Sequence, residues 1–401
     1  MVMRSTLASS VVRNTKIKTY ANYPLLTDLN DTSRYANEAT FSRASGATKL
    51  SSTDMTDVGS GVPIYLSTGL LVEPAHTNRI LWSRNPANAA YVKVNCTATD
   101  NFATSLRGDT TAGKITASNT SAYVHATVNT KTTTGAFRVS RFVKKGTAAV
   151  NYVMLFLYGT GSTNGTGAWF NIDAGTVGTT FQDAGMIGSD HRCDDYGGGW
   201  YRISFLATAI TVTSTSLYTR GTRINGGNSI VAGDYIIVDQ LDVQDTTMLL
   251  SPIHTTTAAA TVVKTDVTIP ASHFPVNNFK IYADLSRPSN STAGTGFIYT
   301  HATDANNSIS ISSSSTSTST SIVRSGSSKS ALVSESADSK AVIVTQSATY
   351  GLTTDVDGNS TNNATSTADL SSTNATAIIG ADISAAAQYG GTIANLRVID
   401  I

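Results

Sequence analysis

Short apolar runs separated by loops rich in Gly, Asn, Ser and Thr recur along the chain from Tyr91 onward. Residues 151–158, NYVMLFLY, are almost continuously apolar and aromatic, which is typical of a strand buried between two sheets. Residues 200–205, WYRISF, alternate between apolar and polar positions, as expected of a strand with one face on a core. No run shows the period of an amphipathic helix. The pattern predicts an all-β fold built from sandwiches of jelly-roll type.

The pattern also divides the chain into an arm and two lobes. Residues 1–35 hold scattered apolar residues without a sustained period, which predicts an extended N-terminal arm, either a docking element or a loosely packed terminus. Small and polar residues at 255–270 precede a new alternating run, so we place the lobe boundary there. The prediction is an arm at 1–35, a jelly-roll domain at 36–260 and a second β-sandwich at 261–401.

Residues 308–339 are very rich in serine. Composition alone favours disorder for such a segment. Thr and Ile nevertheless favour strands, and a second sandwich needs strands in this interval. We therefore predict a polar edge region of the second sandwich rather than a linker.

The order of motifs in the first lobe resembles that of a known family. Residues 42–48 read S-R-A-S-G-A-T, and residues 69–83 read G-L-L-V-E-P-A-H-T-N-R-I-L-W-S. This order closely resembles the opening module of tailed-bacteriophage virion proteins of the tail-fibre, appendage or head-fibre type. The later matching pieces are FRVSRFVKKG at 137–146, AWFNIDAGT at 168–176 and GWYRISFLA at 199–207. The resemblance implies a virion structural protein with a carbohydrate-binding-module-like jelly roll at residues 36–260.

The C-terminal residues resemble a second family. Residues 351–358, GLTTDVDG, precede residues 377–401, which end in TIANLRVIDI. This order is similar to the late strands of laminin-G or concanavalin-like sandwiches. The resemblance implies a sandwich of that kind at 261–401.

The charge balance argues against a nucleic-acid partner. The chain carries 28 basic and 27 acidic residues, a formal net charge of +1, and has no long block of like charge. A surface that follows a phosphate backbone needs a basic stripe. Because only 14% of the residues are charged, hydroxyl and amide groups must supply most of the polar surface.

Neither a signal peptide nor a membrane span is indicated. The N-terminal residues lack a continuous apolar core, and no run approaches the about 18 apolar residues of a membrane helix. A virion protein made in the host cytoplasm and released by lysis fits both observations. Cys96 and Cys193 stand in no paired motif, so we expect both to be reduced and structural.

Common nucleotide, zinc and hydrolase motifs are missing or incomplete. Residues 107–115, RGDTTAGKI, begin like a phosphate-binding loop, but Ile115 stands where a hydroxyl group would reach Mg²⁺. A tight turn that enters a strand explains this stretch, including its Arg-Gly-Asp tripeptide. The six histidines are dispersed, so we predict no cofactor and no metal ligand among them. A calcium site built from Asp carboxylates stays open as an alternative.

A polysaccharide-cutting enzyme would need two carboxylates at a fixed separation. The chain has only three glutamates, and Glu73 lies in the opening motif, where we expect it to fix Arg43 or backbone amides. Two acid pairs beside glycine remain: Asp194-Asp195 and Asp355 with Asp357. Both are typical of turns. We therefore predict no enzymatic activity and no catalytic residue, and a depolymerase tailspike is an alternative.

Glycan binding needs an aromatic plane flanked by groups that form hydrogen bonds. Trp82 and Trp200 are aromatic candidates, but Trp200 lies in an alternating strand and is expected to be partly core. The predicted glycan-binding residues are Tyr196, Asp194, Asp195, Trp169 and Tyr158.

The sequence thus predicts a virion structural protein, foremost a tail fibre or appendage that binds host-surface glycan. The alternative within structural proteins is a capsid decoration or head-fibre protein that acts through protein contacts. Expected partners are other virion proteins, through the N-terminal arm, and host-surface polysaccharide. By analogy with other phage appendages, we expect a homotrimer.

Overall fold

The computed structural model consists of β-strands and the loops that join them. The described residues are 25–28, 40–51, 53–66, 69–128, 135–159, 165–183, 185–210, 215–269, 279–286, 296–304, 307–313, 317–324, 327–334, 339–347, 351–356, 359–363, 377–379 and 391–400. All regular elements in these ranges are strands, which confirms the predicted all-β fold.

The strands are numbered in chain order. The first twenty-one are β1 (Leu25–Asp28), β2 (Thr40–Ser42), β3 (Ala47–Leu50), β4 (Met55–Val58), β5 (Tyr65–Leu66), β6 (Gly69–Val72), β7 (His76–Asn78), β8 (Tyr91–Val94), β9 (Cys96–Ala103), β10 (Ala112–Ala117), β11 (Tyr123–Val128), β12 (Gly135–Lys145), β13 (Tyr152–Gly159), β14 (Gly165–Asn171), β15 (Thr176–Gln182), β16 (Ile187–Asp195), β17 (Trp200–Ile210), β18 (Thr215–Thr222), β19 (Tyr235–Gln244), β20 (Ala260–Val262) and β21 (Asp266–Ile269). The remainder are β22 (Phe279–Ser286), β23 (Gly296–Asp304), β24 (Asn307–Ser313), β25 (Ser317–Arg324), β26 (Ser327–Ser334), β27 (Ser339–Ser347), β28 (Gly351–Val356), β29 (Asn359–Asn363), β30 (Ala377–Ile379) and β31 (Gly391–Asp400).

These strands form four large antiparallel sheets and one hairpin. Sheet I has eight strands, in the order β16-β17-β12-β19-β10-β9, with β7 beside β19 and β20 beside β7. Sheet II has six strands, in the order β15-β14-β13-β18-β11-β8. Sheet III has eight, β29-β28-β27-β22-β31-β6-β5 with β1 also on β31, and sheet IV has seven, β2-β21-β30-β23-β24-β25-β26. Strands β3 and β4 form the hairpin.

Sheets I and II pack face to face and form a β-sandwich. From sheet II, Val153, Leu155 and Leu157 of β13 point into the interface and are 0% exposed. From sheet I, Val139 of β12 and Phe205 of β17 join the same core and are also 0% exposed. Burial of side chains from both sheets supplies the main apolar driving force for this half of the fold.

The outer face of sheet I carries buried polar residues beside the apolar Phe142 and Trp200. Arg202 and Ser204, which alternate with the core residues of β17, are only 2% and 0% exposed. Arg202 donates hydrogen bonds to the Ser140 hydroxyl at 3.1 Å and to the Leu250 carbonyl at 2.8 Å. The segment after β19 therefore covers these polar residues. Ile203 and Phe205, which alternate with them along β17, face the sandwich core.

The opening motif supplies strands to three sheets. Strand β2 pairs with β21 in sheet IV, β5 and β6 extend sheet III beside β31, and β7 joins β19 in sheet I. Glu73, which follows β6, accepts a hydrogen bond from the Ser251 amide at 2.7 Å, so it fixes the backbone as expected. Residues 40–78 thus hydrogen-bond to strands on both sides of residue 260. The three domain ranges stay predictions.

The Ser-rich interval forms β24, β25 and β26 at one end of sheet IV, which confirms the predicted polar edge region. Within the predicted N-terminal arm, the structure describes Leu25–Asp28, which pairs with β31. The rest of residues 1–35 lies outside the described residues.

Candidate functional site

The outer face of sheet II is lined by aromatic rings. They come from five neighbouring strands: Tyr123 and His125 on β11, Tyr152, Phe156 and Tyr158 on β13, Trp169 on β14, Phe181 on β15 and Tyr218 on β18. We call this surface the aromatic face. It lies on the opposite side of sheet II from the sandwich core.

One row of this face crosses five strands in register. His125 pairs with Tyr218, and Tyr218 pairs with Phe156. On the other side of Phe156, Gly167 pairs with both Phe156 and Phe181. Because side chains that face each other across paired strands lie about 5 Å apart, this register places the rings in contact.

Strand alternation explains why the rings face outward. Leu155 and Leu157 of β13 enter the core, which leaves Phe156 and Tyr158 on the outer side. Phe156 is nevertheless only 3% exposed. The central residues 153–157 of the apolar run are therefore buried on both sides, by sheet I on one and by neighbouring rings on the other.

Two glycines of β14 make room for the rings of β13. A Cβ atom on Gly165 would lie 2.7 Å from Cδ1 of Tyr158. A Cβ atom on Gly167 would lie 2.8 Å from Cα of Phe156 and still closer to its ring. Both positions are too tight for any side chain, so β14 presents bare backbone beneath these two rings.

Phe156 is the centre of the ring cluster. It stacks on Phe181 with centroids 5.1 Å apart and meets Trp169 edge to face at 4.7 Å. Trp169 is 8% exposed, and its Nε1 donates a hydrogen bond to the Gly227 carbonyl at 3.0 Å. Phe156 and Trp169 therefore form a fixed lower layer, and the half-buried Phe181 lies on it.

Tyr218 connects this cluster to β11. Its ring meets Tyr158 edge to face at 5.1 Å and stacks on His125 at 4.8 Å. Tyr158 and Tyr218 are both half-buried. Burial raises the pKa of each phenol, so both hydroxyl groups are protonated donors at neutral pH.

Arg220 supplies a positive charge to the aromatic face. Its guanidinium carbon lies 5.1 Å from the centroid of the Tyr123 ring, within range of a cation–π contact. The residue is 8% exposed, and burial lowers its pKa. Within the described residues, Nε has no hydrogen-bond partner and no carboxylate forms an ion pair with the guanidinium. Nδ1 of His125 is also buried without a described partner.

The structure brings together two of the five predicted glycan-binding residues. Tyr158 and Trp169 both contact Phe156, with centroid separations of 5.9 and 4.7 Å. The other three lie at the end of β16 on sheet I, away from the aromatic face.

The three residues on sheet I have local partners. The Tyr196 ring packs edge to face on Phe142 at 5.4 Å, and burial raises the pKa of its phenol. Asp194 accepts hydrogen bonds from Nε and Nη2 of Arg192 at 3.1 and 3.0 Å. The Asp195 carboxylate accepts a hydrogen bond from the Gly197 amide at 2.7 Å, as the turn prediction requires.

Sequence reasoning missed Tyr218, Phe181, His125, Tyr123 and Arg220 as members of the site. A signal was present in residues 215–222, TSLYTRGT, where the inward Leu217 and Thr219 alternate with the outward Tyr218 and Arg220. Trp200 is 4% exposed, which confirms that it belongs to a core. Trp82 is partly buried against the sandwich core.

The Arg-Gly-Asp tripeptide is held by side-chain contacts. Arg107 forms an ion pair with Asp57, and Asp109 accepts a hydrogen bond from Nη2 of Arg84 at 3.0 Å. Burial opposes ionisation of Asp109, but hydrogen bonds from Ser105, Thr111 and Arg84 lower its pKa to about 2. The stretch then enters β10, as the turn prediction stated, so neither charged side chain of the tripeptide is free.

A separate polar cluster is buried under residues 251–255. Oδ1 of Asp242 accepts hydrogen bonds from Asn78 Nδ2 at 2.9 Å, Gln240 Nε2 at 3.1 Å and the Ile253 amide at 3.0 Å. Asp242, Asn78 and Gln240 are 0% exposed, and burial raises the pKa of Asp242 to about 6. Since solvent does not reach it, we assign this cluster a structural role.

No group of three or more His, Cys, Asp and Glu side chains within the described ranges could hold a metal ion. The same part of the chain contains no helix long and apolar enough to cross a membrane. Asp355 lies in β28, whose side chains are outside the description, and Asp357 is outside the described residues altogether.

Comparison with known proteins gives no family. No family model matches the chain, and no curated protein does so. Among solved structures, mouse laminin alpha1 chain domains LG4-5 are 13% identical, with 68% of this chain and 85% of that chain covered and a TM-score of 0.27. The LG1-3 region of the laminin alpha2 chain is 11% identical, with 69% and 63% covered and a TM-score of 0.24.

Proposed function

We propose that this protein is a non-enzymatic structural component of a tailed-bacteriophage virion and binds a host-surface glycan through the aromatic face. The order of motifs across residues 36–260 supports the virion assignment. The aromatic face supports the binding activity, and it includes Tyr158 and Trp169, which the sequence also favours.

The main support for glycan binding is that half-buried aromatic rings lie on a layer of almost fully buried rings. Tyr158, Tyr218 and Phe181 lie on a sheet whose lower layer, Phe156 and Trp169, is almost fully buried. A sugar ring stacks its C–H face on such aromatic planes, and tyrosine hydroxyls donate hydrogen bonds to its oxygens. Because the sheet holds the rings in place before binding, little conformational entropy is lost when a glycan binds.

A contact surface for another virion protein is the second candidate. Val92 on β8, an edge strand of sheet II, is 49% exposed and pairs with His125 of the aromatic face. An exposed apolar residue beside an aromatic surface also suits a protein–protein interface. This observation favours capsid decoration or a head fibre over attachment.

The non-enzymatic part of the proposal is supported by the partners of Asp194 and Asp195. The Arg192 guanidinium binds one carboxylate, and the Gly197 amide binds the other. Incubation of the protein with host polysaccharide and an assay for new reducing ends test this part. Release of reducing ends that is lost in Asp194→Asn would instead establish a depolymerase.

The binding proposal is tested by titrating host-surface polysaccharide with Tyr158→Ala and Tyr218→Ala. Loss of one stacking ring should weaken binding at least about tenfold. Phe102→Ala is the matched control, because Phe102 is a 40% exposed aromatic residue on β9 of sheet I. Unchanged binding in both tyrosine variants would refute the glycan site, and loss of attachment to capsids in the same variants would favour the contact protein.

The virion assignment is tested by immunogold labelling of intact particles. Label on tail appendages would support attachment, label over the capsid shell would support decoration, and particles without label would refute the assignment. We further propose a homotrimer that docks through residues 1–35. Light scattering that shows a monomer at micromolar concentration would contradict the trimer.

A further inference from the structure

We propose that the glycan bound by the aromatic face carries an acidic group, and that Arg220 binds this group. The inference rests on the proposed function, since it names the class of ligand for the same surface. It follows from the surroundings of one arginine and from the sequence of the loops beside it.

Within the described residues, Arg220 differs from the other buried arginines in that its guanidinium donates no hydrogen bond to a protein atom. The others each donate at least one hydrogen bond to a described protein atom: Arg43, Arg84, Arg138, Arg141 and Arg202. Arg220 is 8% exposed, and its contact within the described residues is with the Tyr123 ring. A guanidinium withdrawn from water without a counter-ion costs stability, and an anionic ligand would offset that cost.

The acids in the described connections nearest Arg220 form ion pairs with other basic residues. Arg220 pairs with Met154 near the Tyr152–Thr222 end of these strands, and the connections at that end contain Asp173 and Asp234. Asp173 forms an ion pair with Lys145 at 2.7 Å, and Asp234 forms one with Arg223 at 2.8 Å. Asp183 follows β15 on the far side of Tyr158, and it acts on the Tyr158 hydroxyl rather than on Arg220. A negative charge for Arg220 must therefore come from a ligand or from residues outside the described ranges.

Further donors lie on the same surface. The hydroxyl groups of Tyr158 and Tyr218 are protonated at neutral pH, and His125 has a buried Nδ1 without a described partner. Met154, which pairs with Arg220 across the strands, is apolar. A fork of guanidinium N–H groups beside phenol donors fits a carboxylate or sulfate, which accepts several hydrogen bonds at once.

The ligand class is therefore an acidic saccharide, such as a hexuronate or a sulfated sugar. Its ring would stack on Tyr158 or Tyr218, while its anionic group would bind Arg220. Neutral sugars would keep the stacking but lose the charged hydrogen bonds. Recognition of charge would in this way select among host glycans that stack equally well.

The test is calorimetric titration with oligoglucuronate and with its carboxyl-reduced, neutral counterpart. We expect the wild-type protein to bind the acidic oligosaccharide at least about tenfold more tightly. Arg220→Gln should abolish that preference and leave binding of the neutral oligosaccharide within about twofold. Sulfated dextran oligosaccharides in the same titration show whether sulfate or carboxylate is preferred.

Arg223→Gln is the charge-matched control. Arg223 follows β18 and forms an ion pair with Asp234 at 2.8 Å, so its loss removes one positive charge without changing the aromatic face. If Arg220→Gln fails to fold, the wild-type salt dependence replaces it, because only acidic binding should weaken between about 0.05 and 0.5 M salt.

Equal wild-type affinity for acidic and neutral oligosaccharides would overturn the inference and leave the proposed glycan site standing. A preference that survives in Arg220→Gln, or is lost equally in Arg223→Gln, would also overturn it. Failure of the protein to bind host polysaccharide, tested separately above, would remove the proposed function itself.

Discussion

Phe156 and Phe181 stack with their planes inclined by only 12°, although β14 lies between the strands that carry them. They meet because Gly167 occupies the intervening position and has no side chain. The flatness of this part of the aromatic face therefore depends on a glycine that itself contacts no ligand.

Gly167→Ala tests that dependence. The added methyl group would collide with Phe156 and its backbone, so we expect the free energy of unfolding in urea to fall by about 1–3 kcal/mol. Gly59→Ala is the control, because a Cβ there meets no atom within 4 Å. Equal stability of the two variants would mean that the rings do not occupy the space above Gly167.

The raised pKa of Asp242 predicts that the stability of the protein depends on pH. Burial raises its pKa in the folded protein to about 6, above the about 3.9 of an unfolded aspartate. The folded state thus binds the proton more tightly, and the free energy of unfolding should fall as pH rises from about 4 to 6, by on the order of 3 kcal/mol. Asp242→Asn should remove this fall, as measured by urea unfolding at several pH values.

The pH comparison must be made as a difference between the wild type and Asp242→Asn. Asp109 and Asp234 have lowered pKa values in the folded protein, so they act in the opposite direction. The prediction fails if both proteins lose the same stability between pH 4 and 6.

The lowered pKa of Asp109 predicts the opposite effect, a loss of stability as the pH falls. Its pKa is lowered to about 2, so the stability that it contributes is present above about pH 4 and lost as pH falls towards 2. We expect Asp109→Asn to lower the Tm at pH 7, and the gap from the wild type to close in acid. Asp57→Asn is the control, since its side chain is 68% exposed and its ion pair with Arg107 should contribute little.

The two cysteines are free thiols, as the sequence indicated, and Cys193 should be unreactive. Burial and the nearby Asp194 raise its pKa to about 12. Its thiolate fraction at pH 8 is then on the order of a thousandfold below that of an ordinary cysteine. Iodoacetamide labelling followed by mass spectrometry should show slow modification in the native protein and fast modification in urea. Fast native labelling would contradict the packing of Cys193.

Local patterns predicted the strands and only part of the site. The run at 151–158 and the alternation at 200–205 both became strands, because side-chain period is a local property. Tyr158 and Trp169 were found as candidates, but Tyr218 and Phe181 were not, because their proximity depends on pairing between distant strands. The spacing of apolar residues along a strand does not show which distant segment packs on the strand's outer face.

The same limit explains the residues at the end of β16. The sequence predicts Asp194, Asp195 and Tyr196 as glycan-binding residues, because an aromatic ring there has two carboxylates beside it. Whether the Tyr196 ring is free depends on Phe142 of β12, which the local sequence does not specify. Arg220 was missed for the opposite reason, since an arginine between threonine and glycine in an alternating run usually faces solvent.

The pairing of β6 with β31 has a consequence for biosynthesis. Leu70 and Ile393 pair, so the hydrogen bonds between β6 and β31 cannot form until β31 has been translated, long after β6. Folding of sheet III cannot finish on the ribosome before β31 is made, and the edge of β6 is available to other nascent chains in the meantime. Such non-local pairing is slow to form, so yield should depend on how quickly translation is completed and on chaperones that shield the edge.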